Sequence, residues 1–237
     1  MLILAIDSAT PVAGVALADE EKIIIEDFIN YKKTHSETLL PMIDSVIKAG
    51  GSVLADIDVI AVTIGPGSFT GLRIGLATVK GLSMAANLPV VAVPTLEAVA
   101  ANLAGCNALV YPLMDARKNE VYTAPFDVAG KYPRQLGDTM ACSPEEAAAS
   151  AIQLLQDTKK NSIILIGEGY LRYKDYFQQK LRDWLLEVPQ HLLLPRPAAV
   201  ASLGLKRFQE GLIEEVLQLR PLYIRLSEAE RRLGGQV

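Results

Sequence analysis

The order of elements repeats itself halfway along the chain. The run 2–7 (LILAID) reads as a strand ending on Asp7, and 12–18 (VAGVALA) and 22–29 (KIIIEDFI) read as two more, joined by a polar DEE turn. A helix is predicted over 36–49. Thr34 and Glu37 have capping-box spacing, and Leu39, Leu40, Ile43, Val46 and Ile47 recur at helical intervals. Pro41 should kink this helix or delay its regular start, and Gly50-Gly51 closes it. A strand at 58–64, a helix at about 70–86, a strand at 89–93 and a short helix from Thr95 follow. The pattern then restarts with ALVYPLM (108–114), a strand that ends at Asp115. EVYTAPF and QLGDTMA supply two strands, and SPEEAAASAIQLLQ opens a helix capped by Ser143, with Pro144 first and Glu146 closing a capping box. SIILIG is the next strand, with helices at about 170–186 and 197–211.

Asp7 and Asp115 lie 108 positions apart (115 − 7), and the capped helices start at nearly the same offset. Three strands, helix, strand, helix, given twice, predicts a duplicated α/β fold of two lobes with a cleft between them. The competing reading is an ordinary α/β domain that happens to alternate. The duplicated arrangement is that of the actin, sugar-kinase and heat-shock ATPase superfamily (ASKHA, ribonuclease H-like), where two strand-end aspartates face a nucleotide. The expected lobes are 1–104 and 105–211, with the tail 212–237 packing back on the first. The chain's 237 residues, half of them hydrophobic, suffice for such cores.

The phosphate loops of such a fold should follow Asp7 and Asp115, and they need glycine and small hydroxyl residues so that backbone N–H groups can approach the phosphates. The first loop, DSATP, has Ser8 and Thr10 but no glycine, and Pro11 removes a donor. The second, DARKNE, carries Arg117 and Lys118 where small residues are needed. Ser8, Thr10 and Arg117 could still hold an anion, and Gly167 and Gly169 of GEGY could lie against an adenosine. The expectation is a degenerate nucleotide cleft of Asp7, Ser8, Thr10, Asp115, Gly167 and Gly169, with weak ATP or ADP binding at most. GPGSFTG (65–71) is no cradle either: its spacing misses both the dinucleotide fingerprint and the P-loop. Its glycines run on into the helix, where Gly71, Gly75, Thr78 and Leu82 share a face. Such a small-residue stripe suits close approach of another backbone, in the same lobe or on another protein.

Metal and nucleophile readings find little. The two histidines, His35 and His191, have no ligand spacing, and Cys106 and Cys142 form no motif. Ser68 matches a nucleophile elbow only loosely, since Thr70 stands where glycine is required. The net charge of −4 argues against RNA binding by the chain alone, and the clusters Lys32-Lys33, Lys206-Arg207 and Arg231-Arg232 read as solvated surface. No apolar run approaches a membrane span, the N-terminus reads as a first strand, and a cytoplasmic protein with reduced thiols is expected.

Five segments in order resemble the TsaB (YeaZ) family: Asp7 to Thr10, HSETLLP (35–41), GPGSFTGLRIG (65–75), DARKNEVY (115–122) and PLYIRLSEAE (221–230). The resemblance implies a role in making N6-threonylcarbamoyladenosine beside the tRNA anticodon. It implies a non-catalytic partner of the paralogue TsaD, which transfers the threonylcarbamoyl group, with the ATPase TsaE joining them and tRNA met only through the complex. TsaD-like relatives hold metal with H-x-x-x-H, and here His35 is followed four later by Leu39, so neither a metal nor a catalytic residue is expected. The two N-terminal helices then become the docking face, with Leu39, Leu40, Ile43, Gly71, Gly75 and Thr78 as its residues. The same face would pair two copies as a homodimer without TsaD, and Gly75→Arg should abolish docking while the fold stays cooperative. The alternatives are an active ATPase or glycopeptidase-like hydrolase, and a direct tRNA binder acting through the RLSEAERR tail.

Overall fold

The computed structural model describes residues 1–30 and 34–224; Lys32-Lys33, the RLSEAERR segment and Arg231-Arg232 lie outside the described residues. In chain order the first half contains β1 (Ile3–Asp7), β2 (Ala13–Ala18), β3 (Ile23–Ile29), α1 (His35–Ala49), β4 (Val59–Gly65), α2 (Phe69–Ala86), β5 (Val90–Pro94) and α3 (Thr95–Ala101). The second contains β6 (Leu109–Arg117), β7 (Glu120–Thr123), β8 (Phe126–Asp127), β9 (Arg134–Gln135), β10 (Met140–Cys142), α4 (Pro144–Asp157), β11 (Ile163–Ile166), α5 (Glu168–Arg172), α6 (Lys174–Leu181) and α7 (Pro197–Gln209).

The first sheet runs β3-β2-β1-β4-β5, with β1 antiparallel to β2 and parallel to β4. Strand alternation sends Leu4 and Ile6 to one face, against α1 and α2, and Ile3 and Ala5 to the other, against α7. The second sheet repeats the plan as β10-β7-β6-β11, with β6 antiparallel to β7 and parallel to β11. Where the first sheet has β5, the second has a single parallel bridge from Ile163 to Leu185. Its two faces are covered by α4 and α6 on one side and by α3 on the other.

The predicted elements are present, with breaks that have local causes. EVYTAPF is split by Pro125, which lacks a ladder donor: β7 pairs the upper part of β6 and β8 the lower. QLGDTMA is split to match, β9 pairing β8 and β10 pairing β7. The helix expected at 170–186 divides at Tyr173 into α5 and α6. Both capping boxes form: the Glu37 carboxylate accepts from the Thr34 hydroxyl at 2.7 Å, and that of Glu146 accepts from the Ser143 N–H at 2.7 Å. Pro41 lies inside α1, which runs on through it.

One boundary moves. The helix at 197–209, grouped by sequence with the second lobe, lies on the first sheet, where Val200, Ala201 and Leu203 pack against Ile3, Ala5 and Val91. Its apolar stripe completes the face that α1 and α2 leave uncovered. The segment after it stays with the same sheet. Glu214 bridges to Val90, Leu219 enters the core beside α2, and the Leu222 N–H donates to the Ile64 carbonyl at 2.7 Å. Residues 212–224 thus run as a strap beside α2, which reaches it through Lys80 Nζ on the Leu217 carbonyl (3.2 Å) and Arg73 Nε on the Tyr223 hydroxyl (3.1 Å).

Candidate functional site

β1 ends in Asp7; the equivalent strand β6 carries Asp115, where the sequence placed its end, and runs two residues past it. The segments from these aspartates onward form the candidate site. Asp7 is 1% exposed. Its Oδ1 accepts from the Thr63 hydroxyl at 2.7 Å and the Ala9 N–H at 3.0 Å, while Oδ2 has no partner. Burial raises its pKa above the ordinary carboxylate value, against those two hydrogen bonds and the nearby His35.

The rest of the first turn is occupied from within. The Ser8 hydroxyl donates to the Gly71 carbonyl at 2.9 Å, and the Thr10 hydroxyl accepts from the Val12 N–H at 3.0 Å. His35 Nε2 meets the Thr10 carbonyl at 2.8 Å, so that ring nitrogen donates. A Cβ at Gly71 would collide with the Ser8 carbonyl oxygen, and one at Gly75 with the Ser8 hydroxyl. The glycine stripe therefore lies against its own lobe's first turn. Both Ser8 and Thr10 are fully buried with their hydroxyls engaged.

The second turn is open. Arg117, Lys118 and Asn119 are exposed and all have left-handed backbone, with φ of 63°, 51° and 60°. Asp115 holds this turn: Oδ1 accepts from the Arg117 N–H at 2.9 Å, and Oδ2 pairs with Arg172 at 2.6 Å. Behind it, Glu168 opens α5 with a buried, unpartnered Oε2. Burial chiefly lifts its pKa to about 8, the charges of Asp7 and Asp115 add to the rise, and the Asp115 backbone N–H and Arg117 oppose it. Glu168 thus feels the acids of both turns. Gly167 and Gly169, expected beside an adenosine, meet β6 instead: a Cβ on either would strike the Leu113 backbone. Among the described residues, no three His, Cys, Asp or Glu side chains group so as to hold a metal ion.

The docking residues read from sequence divide sharply. Leu39 and Ile43 are 1% and 2% exposed and belong to the core between α1 and the first sheet. Gly71 and Gly75 are covered by Ser8, so Gly75→Arg would strike the fold itself, contrary to the sequence expectation. Leu40 is 56% exposed, and Thr78 is half-buried at the edge of the outward face of α2. That outward face carries Thr70, Ala77, Gly81, Met84 and Ala85, all exposed, with open space around Gly81. The free small-residue stripe lies one residue round the helix from the predicted one. Periodicity finds both stripes in α2 but does not say which one the first turn occupies. Sequence pattern alone does not single out Glu168; the available signal is an acid flanked by two glycines at a strand end.

Comparison with known proteins places this geometry. A family model described as TsaD, tRNA N6-adenosine threonylcarbamoyltransferase, matches residues 23–233. The chain is 32% identical to "tRNA threonylcarbamoyladenosine biosynthesis protein TsaB" of Bacillus subtilis, covering 98% of this chain and 97% of that protein. It is 31% identical to the Escherichia coli protein of the same name, covering the whole of both. Among solved structures, YeaZ from Pseudomonas aeruginosa superposes with a TM-score of 0.79 at 27% identity, over 94% of this chain and 99% of that one. Component A of the (R)-2-hydroxyglutaryl-CoA dehydratase of Acidaminococcus fermentans superposes at 0.52 with 9% identity, over 89% and 98% of the two chains, a likeness of fold alone and consistent with the duplicated ASKHA-type architecture. No helix among the described residues is long and apolar enough to cross a membrane. Matched along its length and in both lobes, the chain belongs to the TsaB/YeaZ family.

Proposed function

We propose that the chain is a non-catalytic subunit in the cytoplasmic synthesis of N6-threonylcarbamoyladenosine on tRNA, acting as scaffold and activator of a TsaD-type transferase, with TsaE in the larger assembly. The observation that carries this reading is the closed first turn. The Ser8 hydroxyl is spent on α2, the Thr10 hydroxyl on its own turn's backbone and the Thr10 carbonyl on His35, while Gly71 and Gly75 of α2 are filled by Ser8. A fold that has turned these groups inward keeps the shape of a nucleotide-cleft protein and uses its outside. The docking surface is the outward side of α1 and α2, namely Leu40, Pro41, Ala77, Thr78, Gly81 and Met84. Small residues at its centre let a helix of the paralogous partner approach closely. In the partner's absence the same face pairs two copies.

The test is co-purification of a tagged TsaD-type partner with the wild-type chain and with Gly81→Arg. Gly81 has free space around it, so this change leaves the fold intact and is expected to abolish the complex. A complex that survives Gly81→Arg contradicts this face.

A second reading, residual ATPase or hydrolase chemistry, is favoured by one observation: Asp7 and Glu168 keep buried, unpartnered carboxyl oxygens. It requires ATP turnover or peptide cleavage by the purified chain that disappears with Asp7→Asn.

A further inference from the structure

We propose that the outer edge of β3 is a second self-interface, where two copies of this chain pair their β3 strands antiparallel about a two-fold axis at Glu26 and join their first sheets into one. The inference goes beyond the proposed docking face and uses none of its residues.

The two edges of the first sheet are treated differently. At β5, Glu214 bridges antiparallel to Val90 and its N–H donates to the Val90 carbonyl at 2.8 Å, so the strap covers that edge. β3 closes the other end of the sheet with seven residues, and among the described residues no other segment hydrogen-bonds to the backbone of its outer side. The second sheet blunts its ends by length, with β9 two residues long and β10 three. A long unpaired edge is a template for another strand unless proline or charge guards it. β3 has no proline, and Ile23, Ile24, Phe28 and Ile29 are between 36% and 42% exposed along it. The register against β2 slips at Ile24, an irregularity that adds an exposed isoleucine and no charge.

The strand's own sequence chooses the occupant. IIIEDFI is palindromic about Glu26 in its exposed apolar residues. Antiparallel pairing about that residue sets Ile23 opposite Ile29 and Ile24 opposite Phe28, each twice, so all four exposed apolar side chains meet their like. An unrelated peptide requires no such symmetry of its receptor. Two Glu26 residues face each other at the axis, and free like charges there would oppose pairing. Each carboxylate is already held: both oxygens accept from Arg196, and Oε1 also accepts the Ala198 N–H at 3.0 Å. Asp27 falls opposite Ile25 of the second copy, not opposite another acid.

The test is sedimentation velocity of the full chain over a concentration series, in a Gly81→Arg background that removes pairing through the helical face. Two double variants are compared, Ile24→Lys/Phe28→Lys and Ile24→Glu/Phe28→Lys. Both lose the same apolar pair and the same contact of Phe28 with the Arg196 guanidinium. The first sets lysine opposite lysine, the second glutamate opposite lysine. The parent should show a dimer that grows with concentration. The Lys/Lys double should weaken it by roughly tenfold or more, and the Glu/Lys double should bring it back towards the parent. A parent that stays monomeric overturns the proposal, and so do two doubles that dimerise alike or fail alike. Amide exchange on the parent decides the matter even where a double does not fold. Protection over 23–29 should rise with chain concentration. Protection that ignores concentration, as a segment of the same chain covering the edge would give, overturns the proposal. Co-purification separates this inference from the proposed function. In the otherwise wild-type chain, the Lys/Lys double should keep its TsaD-type partner, and loss of the partner there assigns the edge to the partner and overturns self-pairing. Partner binding that survives Gly81→Arg breaks the docking reading alone, and the two doubles still decide the edge.

Discussion

The first strand of each lobe carries an aspartate at or near its C-terminal end, Asp7 and Asp115, and the turns beyond them are opposites. The first is buried, pressed by two glycines onto α2 and held by His35. The second stands in solvent on left-handed backbone and shows two cations. The same topology thus supports a sealed turn in one lobe and a displayed turn in the other. What seals the first is the helix that follows β4. α2 supplies Gly71 and Gly75 to receive Ser8, and α5 in the second lobe spends its glycines on the Leu113 backbone instead. The difference locates the fate of a nucleotide cradle in the helix beside each turn as much as in the turn.

The contrast can be broken most forcefully at α2. Gly75→Arg drives a side chain into Ser8 and is expected to destabilise the chain by more than about 3 kcal/mol, or to abolish a cooperative urea transition. Gly81→Arg, six residues further along the helix but on open surface, should unfold at the same denaturant concentration as the parent or slightly higher, since glycine is a poor helix former. Equal effects of the two changes would erase the distinction between the inner and outer stripes.

The next effect lies between the turns. Glu168 has a folded-state pKa near 8 against an ordinary 4.5, so the folded chain binds the proton more tightly than the unfolded one. Its contribution to stability is therefore fully present below about pH 4.5, is lost as pH rises through 8, and then levels off. Asp7, raised in the same direction by burial, adds to the loss as pH rises above its ordinary carboxylate value. Glu168→Gln should leave stability near pH 4.5 unchanged and raise it at pH 8 by something of order 3 kcal/mol, flattening the profile in urea unfolding. A profile as steep as the parent's would show that Glu168 ionises freely.

Smaller effects test the clamps one at a time. His35→Ala removes the donor to the Thr10 carbonyl and should cost about 1 kcal/mol in urea unfolding, loosening the sealed turn. Lys118→Gly relieves left-handed strain in the open turn and should stabilise by about 0.5–1 kcal/mol. A loss of stability there would mean the Lys118 side chain contributes more to the fold than its backbone costs.

Much of the architecture was legible. Alternation and capping spacing located the strands and both long capped helices, and the offset between Asp7 and Asp115 gave the duplication, because these signals are local and periodic. What local pattern left out was the partner of each face. Leu39 and Leu40 read alike in sequence, yet one fills the core and the other meets solvent. Gly71 and Gly75 signalled a close neighbour without saying whose, and it proved to be Ser8, its carbonyl at Gly71 and its hydroxyl at Gly75. The helix at 197–209 joined the first sheet because a sheet needs cover on both faces, a tertiary demand that chain order hides. Glu168 stood in plain view between two glycines, but its burial beside Asp7 and Asp115 depends on two lobes meeting.

The central claim, that this chain works through its outer surface and not through its cleft, is tested most directly by reconstituting threonylcarbamoyl transfer to tRNA with a TsaD-type partner, TsaE and variants of this chain. Transfer is predicted to require the chain, to be lost with Gly81→Arg, and to persist with Asp7→Asn and with Asp115→Asn in complexes that still assemble. Transfer that fails in an intact Asp7→Asn complex, or that survives Gly81→Arg, would contradict it.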